Sequence, residues 1–194
     1  MALELHVWKI IGVSPLLQNN PAGTMKSSGG DGGLSAKKKE YDDNDEAAVR
    51  VYRTSDGAPM HPTAAFRSGM LEGSKGRKIG KTAARTVIAG AVFPSETEAR
   101  LIDAKGKPLE KYTVHKCRVV VGKSGILRCR PQWNDWFMLL PMEIDRDFIP
   151  KLELITEILN ISGRIMGIGD NRPDTSKGKS GVGTFGRYRA ELIK

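Results

Sequence analysis

The sequence predicts an α+β domain: an antiparallel sheet, helices on one of its faces, and a glycine-rich loop before the last strand. Three observations predict it. Apolar and β-branched residues gather in strand-length stretches near the start (Leu3–Val13), in the middle (Thr113–Arg130) and at the end (Phe185–Ile193). Phe148–Ser162 instead spaces Leu152, Ile155, Ile158 and Leu159 as one helical stripe. Glycines then crowd the stretch from Gly167 to Gly186. A chain of 194 residues suffices for one domain, 1–194, with a real core.

The elements follow in order. Leu3–Val13 reads as a strand ended by Ser14-Pro15. Residues 18–46 read as a flexible insertion, rich in Asn, Gly, Ser and Lys, in which Lys37-Lys38-Lys39 meets an acidic run from Asp42 to Glu46. Ala48–Tyr52 reads as a second short strand. Pro62 opens a helix to about Leu71, with Ala65, Phe66 and Met70 on its apolar side. A basic break follows, containing Lys75, Arg77, Lys78 and Lys81, which reads as a phosphate-contacting loop, and then a helix over Thr82–Ala89. Arg100–Ala104 is a weak strand, and Lys105-Gly106-Lys107-Pro108 a turn. Thr113–Val121 and Gly125–Arg130 form a hairpin across Gly122-Lys123-Ser124. Its second arm resumes through Trp136–Ile144 after Pro131. Phe148–Ser162 is a helix capped by Asp147 and Gly163, with Pro150 in its first turn. Phe185–Ile193 is the last strand.

Without the weak pieces the order is strand, helices, strand, strand, helix, strand, which is the ferredoxin-like or RNA-recognition-motif-like (RRM-like) order. Strand alternation then separates Cys117, Val119 and Val121 from Lys116 and Arg118. It separates Leu127 and Cys129 from Arg128 and Arg130, and Tyr188, Ala190 and Leu192 from Arg187 and Arg189. One sheet face is expected to be apolar and the other rich in arginine. A solvated antiparallel face is ordinarily polar, but this one carries few acids among its cations, and like charges on neighbouring strands repel, so Lys116, Arg118, Arg128, Arg130, Arg187 and Arg189 read as nucleic-acid contacts, with an ordinary basic surface as the alternative.

The formal net charge is +9 and the pI about 9.6, which favours a polyanionic partner. No apolar run reaches membrane-spanning length and the N-terminus lacks a signal-peptide pattern, so the expected setting is cytoplasmic, with no membrane partner. Cys117 and Cys129 are too few for a Cys-rich zinc site and read as buried, reduced thiols; no metal and no cofactor is expected. Gly167-Ile168-Gly169-Asp170-Asn171-Arg172-Pro173, followed by Gly181-Val182-Gly183-Thr184-Phe185-Gly186-Arg187, reads as a clamp on a nucleic-acid backbone. Glycine permits close approach, and Arg172, Arg187 and Arg189 supply planar forks for phosphate. The bland alternative is a glycine-rich surface loop. Trp133, between polar neighbours, is a base-stacking candidate. Trp136 and Phe137 read as core.

Three segments resemble the RAMP superfamily of CRISPR systems, above all the backbone subunit that polymerises along the guide RNA. Ile11-Gly12-Val13-Ser14-Pro15-Leu16-Leu17 is similar to that family's opening strand and turn. Met60-His61-Pro62-Thr63-Ala64-Ala65-Phe66-Arg67-Ser68-Gly69 is similar to its helix start, and Thr184-Phe185-Gly186-Arg187 to its C-terminal glycine-rich element. Uncharacterised phage and prophage proteins look similar in the same C-terminal segment. The chain departs from the family in a loop stretched by Asp174-Thr175-Ser176-Lys177 and in its short length. The resemblance implies a single-stranded DNA or RNA partner bound through its backbone, and a homo-oligomer assembled along the strand.

The expected function is therefore a non-catalytic single-stranded nucleic-acid-binding protein of phage or mobile-element type. Two alternatives stay open: a RAMP-type endoribonuclease using His61 as general acid or base, and a phage structural protein whose basic face meets another protein. Gly80-Lys81-Thr82 imitates the end of a phosphate-binding P-loop, but Lys75 stands where that motif needs glycine. The acids at 42–46 read as a solvated loop, because no glycine sits at calcium-loop spacing.

Overall fold

A computed structural model describes residues 3–22, 42–121, 124–176 and 183–193. Most of the expected insertion, including the Lys37-Lys38-Lys39 run, lies outside the described residues, as does Gly181-Val182. The chain opens with strand β1 (Leu3–Gly12) and the short β2 (Leu16–Leu17), then helix α1 (Asp43–Ala48). Strand β3 (Met60–Pro62) leads into α2 (Ala64–Gly73). A small hairpin, β4 (Lys78–Ile79) and β5 (Thr82–Ala83), precedes α3 (Ala84–Ala91), β6 (Val92–Pro94) and β7 (Glu98–Arg100). A long hairpin follows, β8 (Thr113–Val121) and β9 (Ser124–Trp133), then β10 (Phe137–Asp145), α4 (Leu152–Ile165) and β11 (Tyr188–Leu192). The protein is thus α+β with antiparallel sheets.

The main sheet runs β11-β1-β10-β6, and every neighbouring pair is antiparallel. Alternation places Trp8 and Ile10 of β1 and Met138, Leu140, Met142 and Ile144 of β10 on one face, all of them fully buried. Phe66 of α2, Ile88 of α3 and Ile155, Ile158 and Leu159 of α4 complete that core. The helical stripe read from the sequence is therefore the face that packs. Tyr188 Oη and Ser162 Oγ, 2.8 Å apart, join α4 to the edge strand inside it.

The structure corrects the sequence in four places. The long hairpin does not belong to the main sheet. β9 pairs with β2 on its far side, giving a separate sheet of order β2-β9-β8, and the chain turns at Asp135 (φ 48°) before β10 enters the main sheet. Ala48–Tyr52 is not a strand. Asp42 caps α1 by accepting from the Asn44 and Asp45 amides, and acids in its first turn suit the helix dipole. Residues 61–62 belong to β3, so α2 begins after Pro62 rather than on it. α4 starts at Leu152 after Lys151, with no side-chain cap, so Asp147 does not cap it and Pro150 lies before its first turn; Gly163 does not end it either, since it continues to Ile165. A Cβ on Gly163 would overlap the carbonyl oxygen of Tyr188, so this glycine lets α4 lie directly on β11.

Two substitutions check the packing by denaturant unfolding. Leu159→Ala is expected to cost about 2–5 kcal/mol through the cavity it leaves. Gly163→Ala is expected to cost about 1–3 kcal/mol through overpacking. Wild-type stability in either variant would refute this helix-on-sheet arrangement.

Candidate nucleic-acid interface

The C-terminal loop is built by backbone contacts with the rest of the chain. The Ile168 amide donates to the Gly186 carbonyl (2.9 Å), the Asp170 amide to Leu17 (2.9 Å), the Phe185 amide to Asn171 (3.2 Å) and the Gly186 amide to Pro15 (2.7 Å). Ser14 closes the far side: its hydroxyl donates to the Thr184 carbonyl (2.8 Å) and accepts from the Arg187 amide (3.0 Å). The glycines serve this packing. Added Cβ atoms on Gly169, Gly183 and Gly186 would overlap the carbonyl oxygens of Leu17, Asn171 and Ile168, and one on Gly167 would crowd Gly186. The close approaches these glycines permit are therefore internal, not to a ligand. Gly186 also holds φ +66°, which side-chain-bearing residues rarely adopt.

The loop faces the β8–β9 hairpin across a cleft of about 480 Å³. His115, Cys117, Val119 and Arg130 line it from the hairpin, with Arg118 at its rim, and Gly169, Asp170, Asn171, Arg172, Asp174 and Gly183 from the loop. His115 also meets the Phe185 ring edge-on at 5.2 Å. Arg130 is buried. Its Nε lies 2.7 Å from Asp170 Oδ2, yet neither atom makes an aligned hydrogen bond, while Nη1 donates to Cys117 Sγ at 3.1 Å. Arg172 donates from Nη2 to Asp174 Oδ2 (2.9 Å), and its Nε is buried without a partner among the described residues. Arg128, opposite Cys117 across the hairpin, leaves its Nε in the same condition.

Glycines 169 and 183, Arg118, Arg130 and Arg172 thus meet at one cleft, and Arg128 flanks it. The other proposed contacts disperse. Lys75 pairs with Glu72, and Arg77 with Glu157 at 2.7 Å. Lys78 and Lys81 are exposed on the β4–β5 hairpin. Lys116 lies on the opposite face of β8, paired with Asp43 at 2.6 Å. That ammonium is the main reason the Asp43 carboxyl titrates below its ordinary range. Arg189 pairs with Glu191 on the main sheet, and exposed Arg187 sits where the loop meets β11. Trp133 is a correction: it is completely buried, edge-on to Tyr112 at 5.2 Å, and offers no face to a base. The apolar-against-arginine alternation also fails on β9, where Leu127 is exposed and Arg130 buried, because the loop covers the side that carries Arg130. Of the two thiols, Cys129 is buried and Cys117 half-buried. Burial, then the hydrogen bond to Asp43, pushes Cys129 up to about 11.

A second cavity, of about 240 Å³, opens on the other side of Gly169, Asp170 and Arg172, lined also by Asn19, Tyr52, His61, Pro62 and Ala65. His61 is 4% exposed and meets the Tyr52 ring edge-on at 5.6 Å. Its Nδ1 has no hydrogen-bond partner among the described residues. Burial, reinforced by the Arg172 charge, holds His61 down at about 4, so it is neutral at pH 7. Burial and then the Asp170 charge raise Tyr52 above its ordinary value. Sequence reasoning missed Asp170 and Asp174 as partners of the arginines, and Tyr52 as the ring against His61. The Gly-Asp-Asn-Arg-Pro run displayed the first beside a cation, but nothing local displayed Tyr52.

Gly186→Val is expected to lower the melting temperature and cost about 1–3 kcal/mol, since it strains the loop itself; a wild-type melting curve would refute the packing role. For His61 the folded pKa lies below the unfolded one, so the unfolded chain binds more protons between about pH 6.5 and 4. Stability should fall as pH drops through that window, by about 3 kcal/mol in all. His61→Asn should flatten that part of the pH profile, and an imidazole that titrates near 6.5 by NMR would contradict its burial. No protein-family model matches the chain, and no curated protein matches it.

Proposed function

We propose that the chain is a non-catalytic single-stranded nucleic-acid-binding protein that holds the phosphate backbone in the cleft between the hairpin and the C-terminal loop. The carrying observation is the pair of arginines that line the cleft: Arg172, whose buried Nε has no hydrogen bond among the described residues, and Arg130, whose buried Nε has only the unaligned carboxylate of Asp170 at 2.7 Å; Arg128, with a buried and unbonded Nε, lies beside them on the hairpin. A buried donor left unmade costs about 1–3 kcal/mol, and a phosphate oxygen would satisfy it. Arg118 adds an exposed cation at the rim with no acidic partner among the described residues. Within the cleft, Asp170 and Asp174 offset part of the arginine charge. That balance suits a threaded backbone of modest charge density better than a broad, purely electrostatic surface. The strand order β11-β1-β10-β6 supports a ferredoxin-like, RRM-like framework, because β1 and β6 flank β10 as a split β-α-β unit requires.

The ribonuclease reading rests on neutral His61, whose free Nδ1 has the form a general base needs. Its burial behind Arg172 argues for the binding reading, since a base must reach the hydroxyl it deprotonates. Titration of labelled single- and double-stranded DNA and RNA of equal length separates the two: stable shifts support binding, and RNA fragments lost in His61→Ala would support cleavage.

Binding is expected to prefer single strands and to fall with salt, with about −0.7 added to the log–log slope for each phosphate neutralised. Arg118→Glu should weaken binding and make that slope shallower, with a nearly unchanged melting curve because the residue is exposed. Salt-independent affinity, or wild-type affinity in Arg118→Glu, would overturn the proposal.

A further inference from the structure

The main sheet has a second face that no described element covers. Strand register puts Leu5, Val7 and Ile11 of β1 beside Phe137, Leu139 and Pro141 of β10 there. Leu5 is 57% and Leu139 44% exposed. A contiguous apolar surface of this kind marks an interaction site. Its charges identify the occupant. Lys9 and Glu143 share the face, and neither has an ion-pair partner among the described residues; Lys9 instead stands over the Phe137 ring at 5.0 Å. Arg189 and Glu191, at its β11 border, already pair with each other. At its β6 border Phe93, opposite Glu143, carries the Arg67 guanidinium over its ring at 5.5 Å. One cation in excess, already held on an aromatic ring, suits neither nucleic acid nor an anionic lipid surface.

The arrangement of the two unpaired charges is self-complementary. Leu5 is opposite Glu143, Val7 opposite Pro141, and Lys9 opposite Leu139. The Val7–Pro141 pair is therefore midway between the row that carries Glu143 and the row that carries Lys9. Consider a two-fold axis in the plane of the interface, crossing the strands at Val7–Pro141. It lays the Lys9 row of one copy over the Glu143 row of the other. Lys9 then stands about one strand spacing, roughly 4.8 Å, to the side of the partner copy's carboxylate, within reach of its long side chain. The rotation makes the same pair twice, and the apolar residues between them meet their own copies, as an isologous interface requires. We propose that this face joins two copies of the chain into a closed, face-to-face dimer, centred on Val7–Pro141 and registered by reciprocal Lys9–Glu143 pairs. It differs from the head-to-tail array that the family resemblance implies, and it leaves the hairpin–loop cleft outside the interface.

A charge swap tests this on the full chain, by light scattering and sedimentation across a wide concentration range at low salt. The wild type should show twice the chain mass and no further growth. Lys9→Glu and Glu143→Lys should each lose the dimer at concentrations where the wild type keeps it, because each sets two like charges about one strand spacing apart, and the symmetry does so twice. The double variant Lys9→Glu/Glu143→Lys should recover it. Leu139→Ser should weaken the dimer without a charge effect, and because the residue is exposed its melting curve should stay near wild type. A wild type that is monomeric throughout, or that grows beyond a dimer, overturns the proposal. So do single variants that dimerise like wild type, or a folded double variant that stays monomeric.

Discussion

The candidate site depends on one constraint: the backbone of Gly167–Arg172 must pass between the β2 turn and Phe185–Gly186 with no room for a side chain at Gly167 or Gly169. The amides of Ile168 and Asp170 donate to opposite neighbours, Gly186 and Leu17, so the segment is fixed from both sides. That fixes where Arg172 and Asp170 emerge, and with them the wall shared by the two cavities. Glycine is required at Gly169 and Gly186 because the neighbouring atoms are main-chain carbonyls, which cannot rotate aside as a side chain can. The charged groups of the cleft are thus held on rigid backbone rather than on a mobile loop tip.

The hairpin is held by a different device. Arg50 is nearly buried and spends its guanidinium on the carbonyl of Cys129 (3.0 Å), the Asn19 side chain (3.2 Å) and Glu46 (2.6 Å). Gln18, fully buried, donates to the Met60 carbonyl and accepts from the Tyr52 amide. These polar straps join α1, β3 and the hairpin where little apolar surface is available. Buried polar groups that are fully bonded specify position, because moving any one strands several donors. The arginines of the cleft contrast with them: the Nε of Arg172 is buried without a hydrogen bond among the described residues, and that of Arg130 faces only the unaligned Asp170 carboxylate.

The two faces of the main sheet divide the labour differently. One is closed by the helices around Trp8, Met138 and Leu140. The other mixes aliphatic residues such as Leu5 and Leu139 with one balanced set of charges and the Lys9–Phe137 contact. The basic character of the chain accordingly appears off the sheet, on the hairpin and the loop. The charge count measured from composition was real, but much of it is neutralised locally, as at Lys75, Arg77 and Lys116. Exposed pairs of this kind contribute little stability, yet they remove those cations from any long-range field.

What the sequence determined by itself was the set of elements governed by local periodicity. The stripe Ile155, Ile158, Leu159 makes a helix wherever it packs, and the alternation of Tyr188 and Ala190 against Arg189 holds in β11, although Leu192 at its end is exposed. The glycines at 167–186 were visible as a backbone requirement, though not their purpose. Tertiary structure decided the rest, because strand pairing and charge pairing join residues far apart in sequence. Arg130 meets Asp170, Lys116 meets Asp43, and β10 rather than the hairpin takes the place beside β1. Asp42 reads locally as a solvated acid, and only the structure shows it capping α1, which packs on β9. Trp133 and Arg130 stand in a polar local sequence, yet both are buried, because burial depends on what the loop and β2 place over them and not on their neighbours in the chain.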